Sequence, residues 1–350
     1  MVPLTVNPKR LNMPKNSCMG AYQLNILVTG ASGFIGRRAM AAFERNGWRV
    51  LGIGRRSLDL PGYRQFDLTR PLPQSLAREL GTFDVILHAA ARSAPWGSRA
   101  VFYHNNVKAT QHVVEFAEEM GHPKLIFVSS SSVYYEPRDQ FEIDETTPQA
   151  NPPINRYASS KQQAERIVAG YTGPACILRP RAVYGRGDSV LFPRILAAAQ
   201  AGRLPWLIRK GEPAIGDLLA IDNLTHCFLR AAENPNILGE FNLTDGQPVE
   251  IIPFLRDIFE RLNIPQPQRQ LSVKRAYRAA WLIEKLYQGC LPWREPPITP
   301  FGVHVFAYSK TFNVSKMLAT FGPLPQTVDA AVSDFVQWVK SEQPYDMKRG

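Results

Sequence analysis

Along the first half of the chain, short apolar runs alternate with longer stretches whose apolar residues recur every three to four positions. Strand-like segments lie at residues 26–28, 48–53, 63–66, 84–87 and 125–128. The unbroken run Ile26-Leu27-Val28 is that of a parallel strand buried on both faces, and the others read as further strands of the same sheet. The periodic stretches predict helices over residues 34–46 and 100–120, and from Tyr157 to about residue 168. Strands alternating with helices give an α/β architecture built on a parallel sheet. A length of 350 residues allows one elaborated domain or two lobes.

Between the first run and the first helix stands Thr29-Gly30-Ala31-Ser32-Gly33-Phe34-Ile35-Gly36, three glycines at a spacing of three. Gly30 permits a tight turn, Gly33 lets backbone come close to a pyrophosphate, and Gly36 lets the helix pack near the strand. The spacing departs from G-x-G-x-x-G, and an ordinary glycine-rich turn has the same look. The second strand ends in Gly54-Arg55-Arg56, where many dinucleotide folds carry an acidic residue for the ribose hydroxyls. A guanidinium there suits a 2′-phosphate, so NADP(H) is favoured and NAD(H) remains possible; a solvated Arg pair is the alternative. Asp67, at the end of the third strand, either touches adenine or caps the next turn. His88 reads as structural, and Ala89, Ala90 and Ala91 are small residues where backbone passes close to a cofactor. Asn105 and Asn106 interrupt the apolar face of the helix over 100–120.

The fifth run leads into Ser129, Ser130, Ser131 and Ser132, at a strand end where ligands of open α/β sheets bind. Downstream, Tyr157 and Lys161 are four apart and share one helix face. An ammonium beside a phenol favours the phenolate, lowering its pKa from ~10 toward working pH, where it exchanges a proton with a substrate oxygen. A serine-rich turn and a surface Tyr/Lys pair are the bland readings, and their order behind a glycine turn favours the chemical one.

Charge changes this picture little. The net charge of +11 is spread in ones and twos without a nucleic-acid-binding motif, so no nucleic acid is expected. No apolar run approaches the ~20 residues of a spanning helix. Residues 1–22 are basic and proline-containing, lack the apolar core of a signal peptide, and read as a disordered tail. Cys18, Cys176, Cys227 and Cys290 have no metal-ligand spacing and form no disulfide framework, so no metal is expected and a cytoplasmic setting fits.

Taken together, the motifs resemble the extended branch of the short-chain dehydrogenase/reductase superfamily, from about Asn25 to about Trp338. The resemblance rests on the glycine turn, on Phe127-Val128-Ser129-Ser130-Ser131-Ser132-Val133-Tyr134, on Tyr157 and Lys161, on the segment from Leu178 to Asp188, and on Ile221-Asp222-Asn223-Leu224. It implies a doubly wound Rossmann sheet with a smaller C-terminal substrate domain. Residues 23–183 and about 216–244 would form the dinucleotide-binding part, and about 184–215 and 245–345 the substrate part. It further implies catalysis by Ser130, Tyr157 and Lys161. Cofactor contacts would come from Gly30, Ser32, Gly33, Phe34, Ile35, Gly36, Arg55, Asp67, Leu68, Ala89, Ala90, Ala91, Asn106, Tyr157, Lys161, Pro180 and Val183. Homodimers are frequent among such proteins.

Within that superfamily the second half is most similar to the 3β-hydroxysteroid dehydrogenase group and the bacterial 2-alkyl-3-oxoalkanoate reductases. The residues that carry this are Trp96-Gly97, Leu191-Phe192-Pro193-Arg194, the run from Phe241 to Pro248, the run from Arg294 to Phe301, and Thr311-Phe312-Asn313-Val314-Ser315-Lys316. Tyr135 departs from the glycine of many relatives, and its ring reshapes the pocket. The expected activity is ketone–alcohol interconversion on a hydrophobic 3-oxo acid or 3β-hydroxysteroid-like substrate. Two alternatives stand beside it: a nucleotide-sugar epimerase or dehydratase with tightly bound NAD, in which Arg179 and Arg181 bind diphosphate, and a non-catalytic binding protein on the same fold. Residues 276–287 form an amphipathic stretch with Trp281, Leu282, Ile283, Leu286 and Tyr287 among Arg278, Glu284 and Lys285. It packs a core, walls a greasy pocket or touches a membrane surface; Phe192, Trp206 and Phe301 likewise line a pocket or fill a core.

Overall fold

A computed structural model describes residues 23–342; the expected tail at 1–22 and Cys18 lie outside the described residues. Seven parallel strands form the main sheet: β1 (Asn25–Thr29), β2 (Arg49–Gly54), β3 (Tyr63–Gln65), β4 (Val85–His88), β5 (Lys124–Val128), β6 (Ala175–Pro180) and β7 (Gly239–Leu243). Their order is β7-β6-β5-β4-β1-β2-β3. The chain winds outward from β1 to β3, then restarts at β4 on the other side of β1. The strand order therefore reverses between β1 and β4, where open α/β sheets place their ligands.

Alternate side chains of each strand enter two separate cores, as the pleat requires. Ile26, Val28, Val85, Leu87, Ile126 and Val128 pack with Ala39, Met40 and Phe43 of α1 (Phe34–Arg45). Leu27, Ile86, Leu125 and Phe127 face the opposite way, against Val113 and Phe116 of α2 (Ala109–Glu119) and Ala164 and Val168 of α3 (Arg156–Ala169). The first core also takes Leu224, Cys227 and Phe228 from α4 (Ile221–Glu233). Each of the valines, leucines, isoleucines and phenylalanines among them contributes about 1.5–3 kcal/mol by leaving water. The long helix expected over 100–120 is broken: a short helix at Arg99–Phe102 passes into a π-helical turn at Tyr103–Lys108 before α2 begins. Such turns are frequent at functional sites, and this one carries Asn106.

The smaller lobe is built around a four-stranded sheet in the order Val249–Glu250, Ile215–Gly216, Lys310–Phe312, Gln140–Ile143. Its helices include α5 (Ile251–Arg261), α6 (Val273–Cys290), α7 (Pro300–Ala307) and α8 (Val328–Ser341). Phe192 and Trp206 are core residues here, Phe192 lying 4.8 Å from Phe335 between ring centres. The two lobes share chain more than a division at 183 and 245 implies. Gln140–Ile143 pairs with Lys310–Phe312, and Phe312, Val314, Met317 and Phe321 enter the first core of the large lobe.

Candidate active site

The glycine turn forms a cradle at the carboxyl end of β1. Gly30 has φ +70°, and a Cβ there would stand 2.7 Å from the Ala90 backbone. A Cβ on Gly36 would come within 2.3 Å of the Gly30 carbonyl oxygen, so helix and turn touch backbone to backbone. At Gly33 the nearest atom to such a Cβ is the Gly30 oxygen at 3.2 Å, and no other lies within 4 Å. Gly33 caps α1 without a side-chain hydrogen bond, and the first turn holds no acidic residue. The first-turn N–H groups and the helix dipole are therefore available to an anion, and the residues present fit a dinucleotide diphosphate.

Around this cradle lie the other strand ends. A Cβ on Gly54 would meet the Ser32 hydroxyl at 2.7 Å, which places the end of β2 against the glycine turn. Arg55, the next residue, is exposed and donates through Nη1 to Asn105 Oδ1 at 2.8 Å. Asp67 accepts from the Thr69 N–H at 3.0 Å, the turn-capping alternative, and Leu68 is buried with its carbonyl against His112 Nδ1 at 2.9 Å. The Ala90 N–H donates to Thr29 Oγ1, which also bonds His88 Nδ1 at 2.7 Å. Burial, and after it the charge of Lys161, lowers the His88 pKa to about 3, so this imidazole is a neutral structural bridge between Thr29 and Thr110. Pro180 ends β6, and Val183 pairs with Leu219 just beyond it.

Asn106 ties two elements of the site together. Its Oδ1 accepts from the Arg92 N–H at 2.7 Å, and its Nδ2 donates to Ser160 Oγ at 2.8 Å. It thus fixes the loop after β4 to α3, the helix that carries Tyr157 and Lys161. Asn155 starts that helix by accepting from the Ala158 N–H.

Ser130 and Tyr157 meet at the end of β5. Burial raises the Tyr157 pKa above its ordinary value, while hydrogen bonds with Ser130 and Ser93 pull it down. Lys161 lies one turn along, but its Nζ donates to the Val128 carbonyl at 2.7 Å and sits 4.8 Å over the Phe127 ring. Burial lowers its pKa to about 7. The expected lowering of the phenol pKa by this ammonium is therefore corrected: burial raises it, and the groups that oppose burial are hydroxyls, not Lys161. Ser93 has no sequence signal, and Ser160, within the Tyr157–Lys161 motif, occupies a position that the pairing of Tyr and Lys leaves unspecified.

Beneath the serines lies an ion pair buried on both sides. Arg179 reaches Glu165 through Nε at 3.0 Å and Nη2 at 2.7 Å, and Glu165 also accepts from Ser129. Arg179 is occupied by this carboxylate and by the Tyr134 hydroxyl, which leaves it no part in diphosphate binding. Arg181 forms no ion pair among the described residues; its guanidinium lies 5.0 Å over the Tyr135 ring. That ring is buried between Arg181 and Lys310, with its hydroxyl on Ser131 Oγ, so the bulk at this position fills the seam between the lobes.

Two openings are formed, one of them beside the site. One is walled by Trp96, Phe102 and Phe301 together with the polar Asn155, Arg156, Glu284 and Gln288. The Phe102 ring centre is 6.4 Å from that of Tyr157, which puts this cleft beside the phenol. Asn155 Nδ2 there is a buried donor with no protein partner. The other, of about 470 Å³, lies in the small lobe, with Arg181 and Asp217 at a polar end and Phe192, Ile195, Phe254 and Phe306 among its apolar walls.

Comparison with known proteins bears on this geometry. Residues 26–243 match the NAD dependent epimerase/dehydratase family. The chain is 28% identical over 325 residues to the 2-alkyl-3-oxoalkanoate reductase of Shewanella oneidensis, covering 87% of this chain and 83% of that protein. It is 29% identical over 324 residues to the decarboxylating sterol-4-alpha-carboxylate 3-dehydrogenase of Mus musculus, covering 89% of each. In fold it resembles the Bordetella bronchiseptica enzyme WbmH, solved in complex with NAD+, with a TM-score of 0.71 at 17% identity over 91% of this chain and 99% of that one.

Proposed function

The chain belongs to the NAD dependent epimerase/dehydratase family, and we propose that it is an NADP(H)-dependent oxidoreductase interconverting a ketone and a secondary alcohol on a hydrophobic substrate. The substrate class is a 3-oxo acid or a 3β-hydroxysteroid-like alcohol. The observation that carries the reading is the Tyr157 phenol, one helical turn from Lys161, with Ser130 among the groups acting on it and the Phe102 ring of a mixed polar and apolar cleft 6.4 Å away.

A bound nicotinamide supplies or accepts the hydride. The chain supplies the rest. Tyr157 gives its hydroxyl proton to the carbonyl oxygen in the reducing direction and takes it back in the other. Ser130 holds that oxygen in line. Lys161, fixed to the Val128 carbonyl one helical turn from the phenol, would hold the cofactor's ribose. Asn106 holds α3 and the loop after β4 at a fixed distance. Arg55 receives the 2′-phosphate, which is why NADP(H) is preferred to NAD(H). The relatives that act on 3-oxoalkanoates and sterols by name support the substrate class. The engagement of Arg179 by Glu165 weighs against a nucleotide sugar.

The test follows cofactor fluorescence during a screen of hydrophobic 3-oxo acids, sterol ketones and nucleotide sugars with NADPH and NADH in parallel. Net loss of NADPH with a ketone is expected. Conversion of a nucleotide sugar with no net change in cofactor would replace this reading with the epimerase one.

A further inference from the structure

The outer face of α6 has no partner among the described residues and an unusual composition. Ala276 and Ala280 are its buried positions, packed with Val303 and Ala307 of α7. The larger apolar residues point away from that contact. Trp281 is 47% exposed, Leu282 61%, Leu286 59% and, just past the helix, Trp293 76%. Tyr277, whose ring stacks on His304 of α7 at 5.1 Å and is still exposed, borders the patch, and Ile208 joins it through the strand whose register pairs Ile208 with Ser272 at the helix start. Half of the large apolar residues exposed among the described residues thus gather on one surface, too many to be the scattered singles of an ordinary exterior. The expectation that this stretch packs a core fails at Trp281, Leu282 and Leu286.

Charge identifies what covers the patch. Lys274, Arg275, Arg278, Lys285 and Arg294 are exposed among these residues, and none forms an ion pair among the described residues. Of the acids nearby, Glu295 is held by Arg194 and Glu284 is turned into the cleft. A second protein copy would have to bury these five cations against their equals. An anionic bilayer takes both components at once, with rings and leucines at the acyl boundary and ammonium and guanidinium groups at the phosphates.

We propose that α6 and Trp293 dock this protein on an anionic membrane surface and that its apolar substrate enters the Tyr157 cleft from there. The second clause rests on the proposed ketoreductase reading. The same helix supplies both surfaces: Glu284 and Gln288 wall the cleft while Leu282 and Leu286 stand outside it. The Pro292 carbonyl accepts from Trp96 Nε1 at 3.2 Å, tying the end of the patch to the cleft rim.

The test is flotation of the full-length chain with phosphatidylcholine vesicles with and without phosphatidylglycerol. Recovery with the anionic vesicles is expected, and high salt abolishes it. Leu282→Glu with Leu286→Glu lowers vesicle affinity by more than about 100-fold, and Arg278→Gln with Lys285→Gln by about 30-fold. Both pairs lie outside the catalytic groups and leave turnover of a short water-soluble ketone unchanged, which also reports correct folding. Turnover of a long-chain ketone carried in vesicles falls with flotation. No flotation, flotation unaffected by either pair, or patch-dependent dimerisation without lipid binding overturns the proposal. Retained turnover of the soluble ketone in those cases leaves the enzymatic reading intact; flotation without turnover of any ketone does the reverse.

Discussion

Replacing Arg55 by Ala removes the guanidinium that follows Gly54 at the end of β2, where that strand meets Ser32 of the glycine turn. A hydrogen bond to a charged group contributes about 1.5–3 kcal/mol. Arg55 is exposed, so solvent screening puts its contact with a 2′-phosphate at the lower end of that range. Asn105 acts in the other direction, since its 2.8 Å bond holds the guanidinium in place and lowers the entropy lost on binding. The expected outcome is a fall of roughly 10- to 30-fold in kcat/KM for NADPH, at about 1.4 kcal/mol for each factor of ten. The value for NADH should move little, because NADH has no phosphate at that position. The assay compares kcat/KM for both cofactors with one ketone at low and at high ionic strength, and the NADPH preference proposed for the unaltered protein should narrow with salt. Equal losses with both cofactors, or an unchanged ratio, would refute the assignment of Arg55.

Gly30→Ala forces a side chain into a φ of +70° and to within 2.7 Å of the Ala90 backbone, so NADPH affinity by fluorescence titration should drop at least about tenfold, with a lower melting temperature. Glu165→Gln leaves Arg179 buried without its counter-ion and should cost about 3–5 kcal/mol in urea unfolding. Lys310 is buried with its pKa lowered to about 7, against 10.5 in the unfolded chain. Between those values the unfolded chain binds a proton that the folded one does not, so this residue makes stability rise from about pH 7 toward pH 10. Thermal melts across that window should show a flatter rise in Lys310→Met.

The parts of this molecule legible in the sequence are those set by local spacing. The strand ends, the glycine turn, and the Tyr157–Lys161 pair on one helix face follow from periods of two and 3.6 residues and from the freedom of glycine. What the sequence does not carry depends on contacts between distant segments. The strands of the small sheet, two to four residues long, are too short for any period to register. The direction of Lys161 toward the Val128 carbonyl, rather than toward the phenol alone, is decided by where β5 ends relative to α3. The π-helical turn at Asn106 interrupts a stretch whose apolar pattern reads as one helix, and Asn106 there accepts from the distant Arg92 N–H, a contact no local pattern carries. On α6 the pattern locates an amphipathic helix but not which side is wet: two alanines make the contact and the large residues stay outside.

In the proposed mechanism everything turns on Tyr157 passing the proton that accompanies hydride transfer. Single-turnover reduction of a hydrophobic ketone by NADPH-loaded Tyr157→Phe protein, with NADPH binding measured alongside, reads that step without interference from product release. Unchanged cofactor affinity and a rate lower by roughly 10²–10⁴ are expected. A variant that binds NADPH and reduces the ketone at close to the original rate would contradict the proton-transfer role of the phenol.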